Sequence, residues 1–329
     1  MRTRYSTVAA AVALTVLAAA LIAPPAARAQ PYPGKPVRLV IPWAAGGSTD
    51  SIGRILGQKL GEYTGQQWII DNRGGATGTI GHAFAAKAAP DGYTLLLATN
   101  STFAIAPHLY KNLQYDNERA FAPISLVAVS PQILSVHPSL PVRNVKDLIA
   151  LARAKPGAIP FSTAGVGATS HMATELLMNM ARIEMTHVPY KGGGPSAQAL
   201  ISGETALSFV DAITALPQAQ AGRLRLVATS TAERTALMPQ LPTIAESGLP
   251  GFESVTSFGL FAPAGTAQDV ISRVNREALR ALAAADVKDK LRAQGIDPAG
   301  TTPAELVAHQ KRETMKWGKV IREQGIKFE

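Results

Sequence analysis

The chain has no cysteine in its 329 residues. This excludes a thiolate nucleophile, an iron–sulfur cluster, a Cys-ligated zinc, a disulfide framework and a lipidated N-terminal cysteine. Charged residues are sparse at 17%, and no block of lysine or arginine occurs. The net charge of +9 is spread thinly, and three of its bases, Arg2, Arg4 and Arg28, lie in an acid-free N-terminal stretch. A nucleic-acid binder gathers its charge on one face or run, so no nucleic-acid partner is expected. The six histidines, His82, His108, His137, His171, His187 and His309, form no H-x-H or H-x-x-x-H pair, so no metal site is expected. There is no G-x-S-x-G elbow; Gly165-x-Gly167 lacks the third glycine of a dinucleotide fingerprint, and its turn has no phosphate-loop lysine. No cofactor is therefore expected. With 47% hydrophobic residues, the chain is nevertheless a folding one rather than a disordered one.

The N-terminus has the three parts of a secretory signal: Arg2 and Arg4, an uncharged Ala/Leu/Val run over 8–23, and Ala27-Arg28-Ala29 before Gln30. The run is shorter than the roughly 20 residues a membrane span prefers, and Pro24-Pro25 ends it. Cleavage is expected after Ala29, and no later stretch is apolar enough to span. A disulfide-free exported chain of this size relies on its core, which points to a bacterial periplasm.

Beyond the leader, short apolar runs alternate with amphipathic stretches. Strands are expected over 37–41, 68–70, 94–98, 124–129, 133–136, 159–162, 186–188, 207–210, 224–228 and 256–261. Helices are expected over 48–60, 145–154 and 196–201, with another carrying Met172, Leu176, Leu177 and Met180. Thr266 with Asp269, and Thr302-Pro303 with Glu305, read as capping-box starts of two C-terminal helices. This alternation predicts an α/β protein with mainly parallel sheets. Similar beginnings at Val37 and Ile159 suggest two lobes, joined by crossovers near 130–133 and 251–256, with the last helices returning to the first lobe.

Two glycine-rich turns between a strand and a helix carry most of the information. One holds Trp43, Ala45, Gly46, Gly47, Ser48, Thr49 and Asp50; the other holds Thr163, Ala164, Gly165, Gly167, Thr169 and His171. A helix N-terminus offers unpaired N–H groups and a partial positive charge, and glycine lets an anion approach them. Ser48 and Thr169 also suit plain helix capping. A third turn contains Lys191 and Gly192, where the lysine either pairs with an acidic ligand or is solvated. Ser101 and Thr102 add neutral donors. Asp211 ends a strand and either receives an ammonium group or caps the next turn. His171 suits a supporting role better than that of a general base, and Asp50 suits the first turn of its helix without any ligand.

At these residues the chain resembles a family, the periplasmic solute receptors of tripartite tricarboxylate transporters, of the TctC or Bug type. The resemblance runs through Tyr32-Pro33-x-Lys35-Pro36, Pro42-Trp43-x-x-Gly46-Gly47-x-x-Asp50, Asn72-Arg73-x-Gly75-Ala76-x-Gly78 and Pro90-Asp91-Gly92-Tyr93-Thr94-Leu95. It continues in Ser162-Thr163-x-Gly165-x-Gly167-x-x-x-His171, Pro189-Tyr190-Lys191-Gly192, Ala221-Gly222-Arg223-Leu224-Arg225 and Pro242-Thr243-x-x-Glu246-x-Gly248. It implies a two-lobed, periplasmic-binding-protein-like fold of the type II flytrap kind, with the ligand cleft between the lobes. Lobe 1 is then 30–131 plus 255–329, and lobe 2 is 132–254. The implied function is capture of a small carboxylate by the two turns, without catalysis, and delivery to a two-subunit membrane permease. The receptor is expected to be a monomer. The family often has serine where this chain has Thr169, which keeps the hydroxyl. An exported α/β enzyme acting on a small carboxylate is the competing class, but no positioned nucleophile or base supports it. A transcription-regulator effector domain would need a DNA-binding helix pair where this chain has a signal.

Overall fold

Val37–Ile41 forms the first strand, with four of its five residues buried, as a parallel strand covered on both faces requires. The computed structural model describes residues 32–235 and 238–326; the leader expected over 1–29 lies outside them. In chain order the elements are β1 (Val37–Ile41), α1 (Ser48–Thr64), β2 (Trp68–Asn72), α2 (Thr79–Ala86), β3 (Thr94–Thr99), α3 (Ala106–Leu109), β4 (Phe121–Val136), α4 (Val145–Ala154), β5 (Pro160–Thr163) and α5 (Thr169–Ala181). There follow β6 (Thr186–Pro189), α6 (Gly193–Ile201), β7 (Leu207–Asp211), α7 (Ala212–Gln220), β8 (Arg225–Thr229), β9 (Val255–Pro263), α8 (Gln268–Ala283), α9 (Ala285–Arg292), β10 (Asp297–Pro298) and α10 (Pro303–Gln324).

The ten strands of the described residues join one sheet in the order β2-β1-β3-β9-β4-β7-β5-β6, with β8 and β10 also paired to β4. The two outer groups are parallel: β2, β1 and β3 on one side, β6, β5 and β7 on the other. The centre is antiparallel, because β9 and β4 run against their neighbours. The sheet is therefore mixed, where the alternation alone predicts mainly parallel pairing. The stretches expected as two strands, 124–129 and 133–136, form the single 16-residue β4. Its residues 121–131 pair with β9, and from Gln132 onward it pairs with β7. Pro131 sits at that change of partner, a place where a missing N–H is tolerated.

Separate apolar clusters lie beneath the two halves. One joins Phe103, Leu109, Phe121, Phe261 and Trp317; another joins Phe161, Leu177, Phe209 and Phe252. Met172 of α5 packs into the first cluster although its helix follows β5 of the second half. Each fully buried side chain of this size contributes about 1.5–3 kcal/mol relative to exposure.

Helix ends follow local chemistry in part. α10 has the expected capping box between Thr302 and Glu305 with Pro303 at its start, and ends at Gly325 in the left-handed region. α8 departs from expectation. Its N-cap is Ala267, and the Thr266 hydroxyl donates to the Pro263 carbonyl at 2.8 Å, so it serves the preceding turn.

Candidate functional site

α1, α5 and α6 each begin at a glycine-rich turn, and the N-termini of all three face one cleft of about 620 Å³, its open mouth included. None of the three helices has a side-chain cap: their N-caps are Gly47, Ala168 and Gly192. The first-turn amides of α1 and α5 are thus not consumed by Ser48 and Thr169, which are the first helical residues rather than the caps the sequence allowed.

Freed from capping, both hydroxyls reach across the cleft. Ser48 Oγ donates to Asp211 Oδ2 at 2.6 Å. Thr169 Oγ1 donates to Asn100 Oδ1 at 3.0 Å, and its backbone N–H donates to Ser101 Oγ at 3.1 Å. The Ser101 hydroxyl, 3.0 Å from Thr169 Oγ1, completes the pair as donor. Thr77 Oγ1 donates to the Val166 carbonyl at 2.8 Å. Asn100 is fully buried, and its amide donates to the Val255 carbonyl and to Glu313 Oε2, which also accepts from Trp317 Nε1. The last helix is in this way tied to the second turn by satisfied polar groups.

The cleft wall includes Trp43, Ala45, Gly47, Thr49, Ser101, Ala164, Thr169, Gly192 and Asp211 from the candidate set. The others stand behind it. Gly46 takes φ +90° and donates its N–H to Asp50 Oδ2. Gly165 and Gly167 also take positive φ, +128° and +78°, so these glycines shape the turns rather than touch the cavity. Thr102 donates to the Thr99 carbonyl. Thr163 Oγ1 lies 2.6 Å from His187 Nε2. Lys191 is exposed and off the wall.

Asp50 is buried, yet its carboxyl is held below the usual range. Burial opposes its charge, but hydrogen bonds from Arg54, Gly46 and Asn72, with the Arg54 charge, outweigh that. It fixes the first turn from beneath. His171 does the same for the second: its Nδ1 accepts from the Gly167 N–H at 3.1 Å, which puts the proton on Nε2, facing Glu175 Oε1 at 3.3 Å. Its ring stacks on His187 at 4.1 Å. Burial first, and then His171, push His187 down to about 3.

Sequence reasoning did not select Gln132, Thr256, Thr99, Ser48, Ser170 or the Gly193-Gly194-Pro195 start of α6, all of which line the cleft. Ser48, Ser170 and the third turn stood in the glycine-rich segments already singled out. Gln132 and Thr256 had a fainter signal, a polar side chain inside an apolar strand. Among the described residues no lysine, arginine or histidine lines the cleft, no group of His, Asp and Glu could hold a metal, and no helix is long and apolar enough to cross a membrane.

A mixed sheet with helix N-termini turned into a central cleft is the architecture of periplasmic binding proteins. The chain matches a periplasmic binding protein, BugD, at TM-score 0.85 and 31% identity, covering 90% of this chain and 99% of that one. It also matches R. palustris Rpa4515, solved with adipate, at TM-score 0.87 and 36% identity over 90% and 99%. MatC from Rhodopseudomonas palustris, solved with bound malate, aligns at TM-score 0.83 and 30% identity over 88% and 100%. Residues 52–326 match the TctC model, and the chain belongs to that family, the tripartite tricarboxylate transporter family receptors.

Proposed function

We propose that this chain captures a small carboxylate in the periplasm, without turnover, and delivers it to a two-subunit membrane permease. The observation that carries this reading is the convergence of three helix N-termini, none closed by its own N-cap side chain, on a cleft that no basic side chain lines among the described residues. Such amides are fixed before binding, and a charge-assisted hydrogen bond contributes roughly 1.5–3 kcal/mol. Adipate in Rpa4515 and malate in MatC lend support from relatives. Residues 30–131 with 255–329, and 132–254, act as two lobes that close on the ligand, and the hydrogen bonds from Ser48, Thr77 and Thr169 are the closing contacts. Trp43, Ala45, Gly47, Thr49, Ser101, Ala164, Thr169, Gly192 and Asp211 contact the ligand. Gly46, Asp50, Thr102, Thr163, Gly165, Gly167, His171 and Lys191 support it from behind or at the mouth. The leader is removed after Ala29, and the mature receptor works as a monomer.

Native mass spectrometry of periplasmic material tests this directly. The expected species is a monomer beginning at Gln30 that retains or takes up one carboxylate and releases it with unchanged mass. Release of a chemically altered acid would mean an enzyme, and an intact N-terminus would end the export reading.

A further inference from the structure

Among the described residues, Asp211 is the one carboxylate on the wall of the cleft, and no lysine, arginine or histidine there balances it. It also forms no ion pair elsewhere. Its Oδ2 accepts from Ser48 at 2.6 Å, Thr256 Oγ1 stands 3.5 Å from Oδ1, and Gln132 contributes a third neutral donor. An ionised carboxylate offers about four acceptor sites, so capacity remains. Beside it, Gln132 is buried at 4% exposure, and its Oε1 has no hydrogen-bond partner. Asp211, Ser48 and Gln132 line both the main cleft and a smaller adjoining chamber. Helix N-terminal residues, the Asp211 carboxylate and the unpartnered Gln132 Oε1 thus share one cavity, which offers both donors and acceptors to a ligand.

We infer that the ligand is an amino-carboxylate whose ammonium group is received by Asp211, with a hydroxyl as the weaker substitute; this rests on the carboxylate reading above. A second ligand carboxylate reaching Asp211 would instead meet a like charge with no cation to separate them. Burial pushes the Asp211 carboxyl up, and an arriving ammonium relieves that penalty while gaining a charge-assisted bond.

Calorimetry with two skeleton-matched sets tests this: succinate, malate and aspartate, then hexanoate, adipate and 6-aminohexanoate. In at least one set the amino form is expected to bind about tenfold or more tighter than the others. Asp211→Asn is expected to bring the members of that set within about threefold of one another, by weakening the amino form. The inference is overturned if a plain acid or diacid binds tightest in both sets, or if Asp211→Asn weakens every member alike. Should the variant fail to fold, the wild-type ranking decides alone. If no acid of either set binds, the carboxylate reading fails and this inference fails with it.

Discussion

Gly165 holds φ +128°, and a Cβ there would lie 3.2 Å from Thr77 Oγ1 and 3.3 Å from the Tyr190 carbonyl oxygen. Gly165→Val therefore forces strain of about 1–3 kcal/mol into the second turn. Ligand affinity should fall by about tenfold or more, with a lower melting temperature. Lys191 is exposed and off the wall, and solvent screens its charge, so Lys191→Ala should leave affinity within about twofold. Calorimetry on the pair checks both, and the reverse ranking would make lysine the anion contact. Histidine burial sets a pH dependence. His82 and His187 are each held down to about 3, chiefly by burial, whereas the unfolded chain protonates them near the ordinary 6.5. The unfolded state then binds more protons throughout that window, so stability falls as pH drops from about 6.5 toward 3. Melting temperature should be lower at pH 4.5 than at pH 7. His82→Phe, between Tyr115 and Phe121, should flatten the trend, and an unchanged melting temperature across that range would contradict it. At this scale the turns were legible because glycine, hydroxyl residues and a following amphipathic run occur together. Gln132 and Thr256 were not, because membership of a cleft wall depends on which strands cross, and their neighbours in sequence do not record that.

Elements were legible where one local signal decides them. The helix over 145–154 coincides with the expected one, since the Asn144 side chain accepts the Asp147 N–H and the apolar positions keep a 3.6-residue period. β1 coincides with its apolar run. The join of two expected strands into β4 was not legible, because Ser130-Pro131 reads locally as a break. It is β9 on one side and β7 on the other that keep the backbone extended through Pro131. Antiparallel pairing at the centre was hidden for the same reason: strand direction is a property of long-range partners. α8 shows the limit of capping patterns, for Thr266 had a competing acceptor at Pro263. α10 shows their strength, with both halves of the box formed. Thr302→Ala should cost about 1 kcal/mol, seen as a lower denaturation midpoint with an unchanged slope; no change would mean that packing of Trp317 and Leu306, both fully buried, alone holds this helix.

The described residues place one continuous sheet against several apolar clusters and leave the amide ends of three helices around a cleft. Ser48, Thr77 and Thr169 each bridge segments far apart in sequence, and Ser48 and Thr169 also line the cleft. A ligand that binds only the folded form also stabilises it, by about 2.7 kcal/mol at a hundredfold excess over Kd. The central claim is that helix amides, with no basic side chain, hold a carboxylate charge. The most direct measurement is calorimetric titration of the wild-type receptor with the acid that binds it best among those named above and with that acid's primary amide. The amide keeps the size and shape but removes the negative charge. Saturable one-to-one binding of the acid is expected, with a loss of about tenfold or more for the amide. Equal affinity for acid and amide would contradict it.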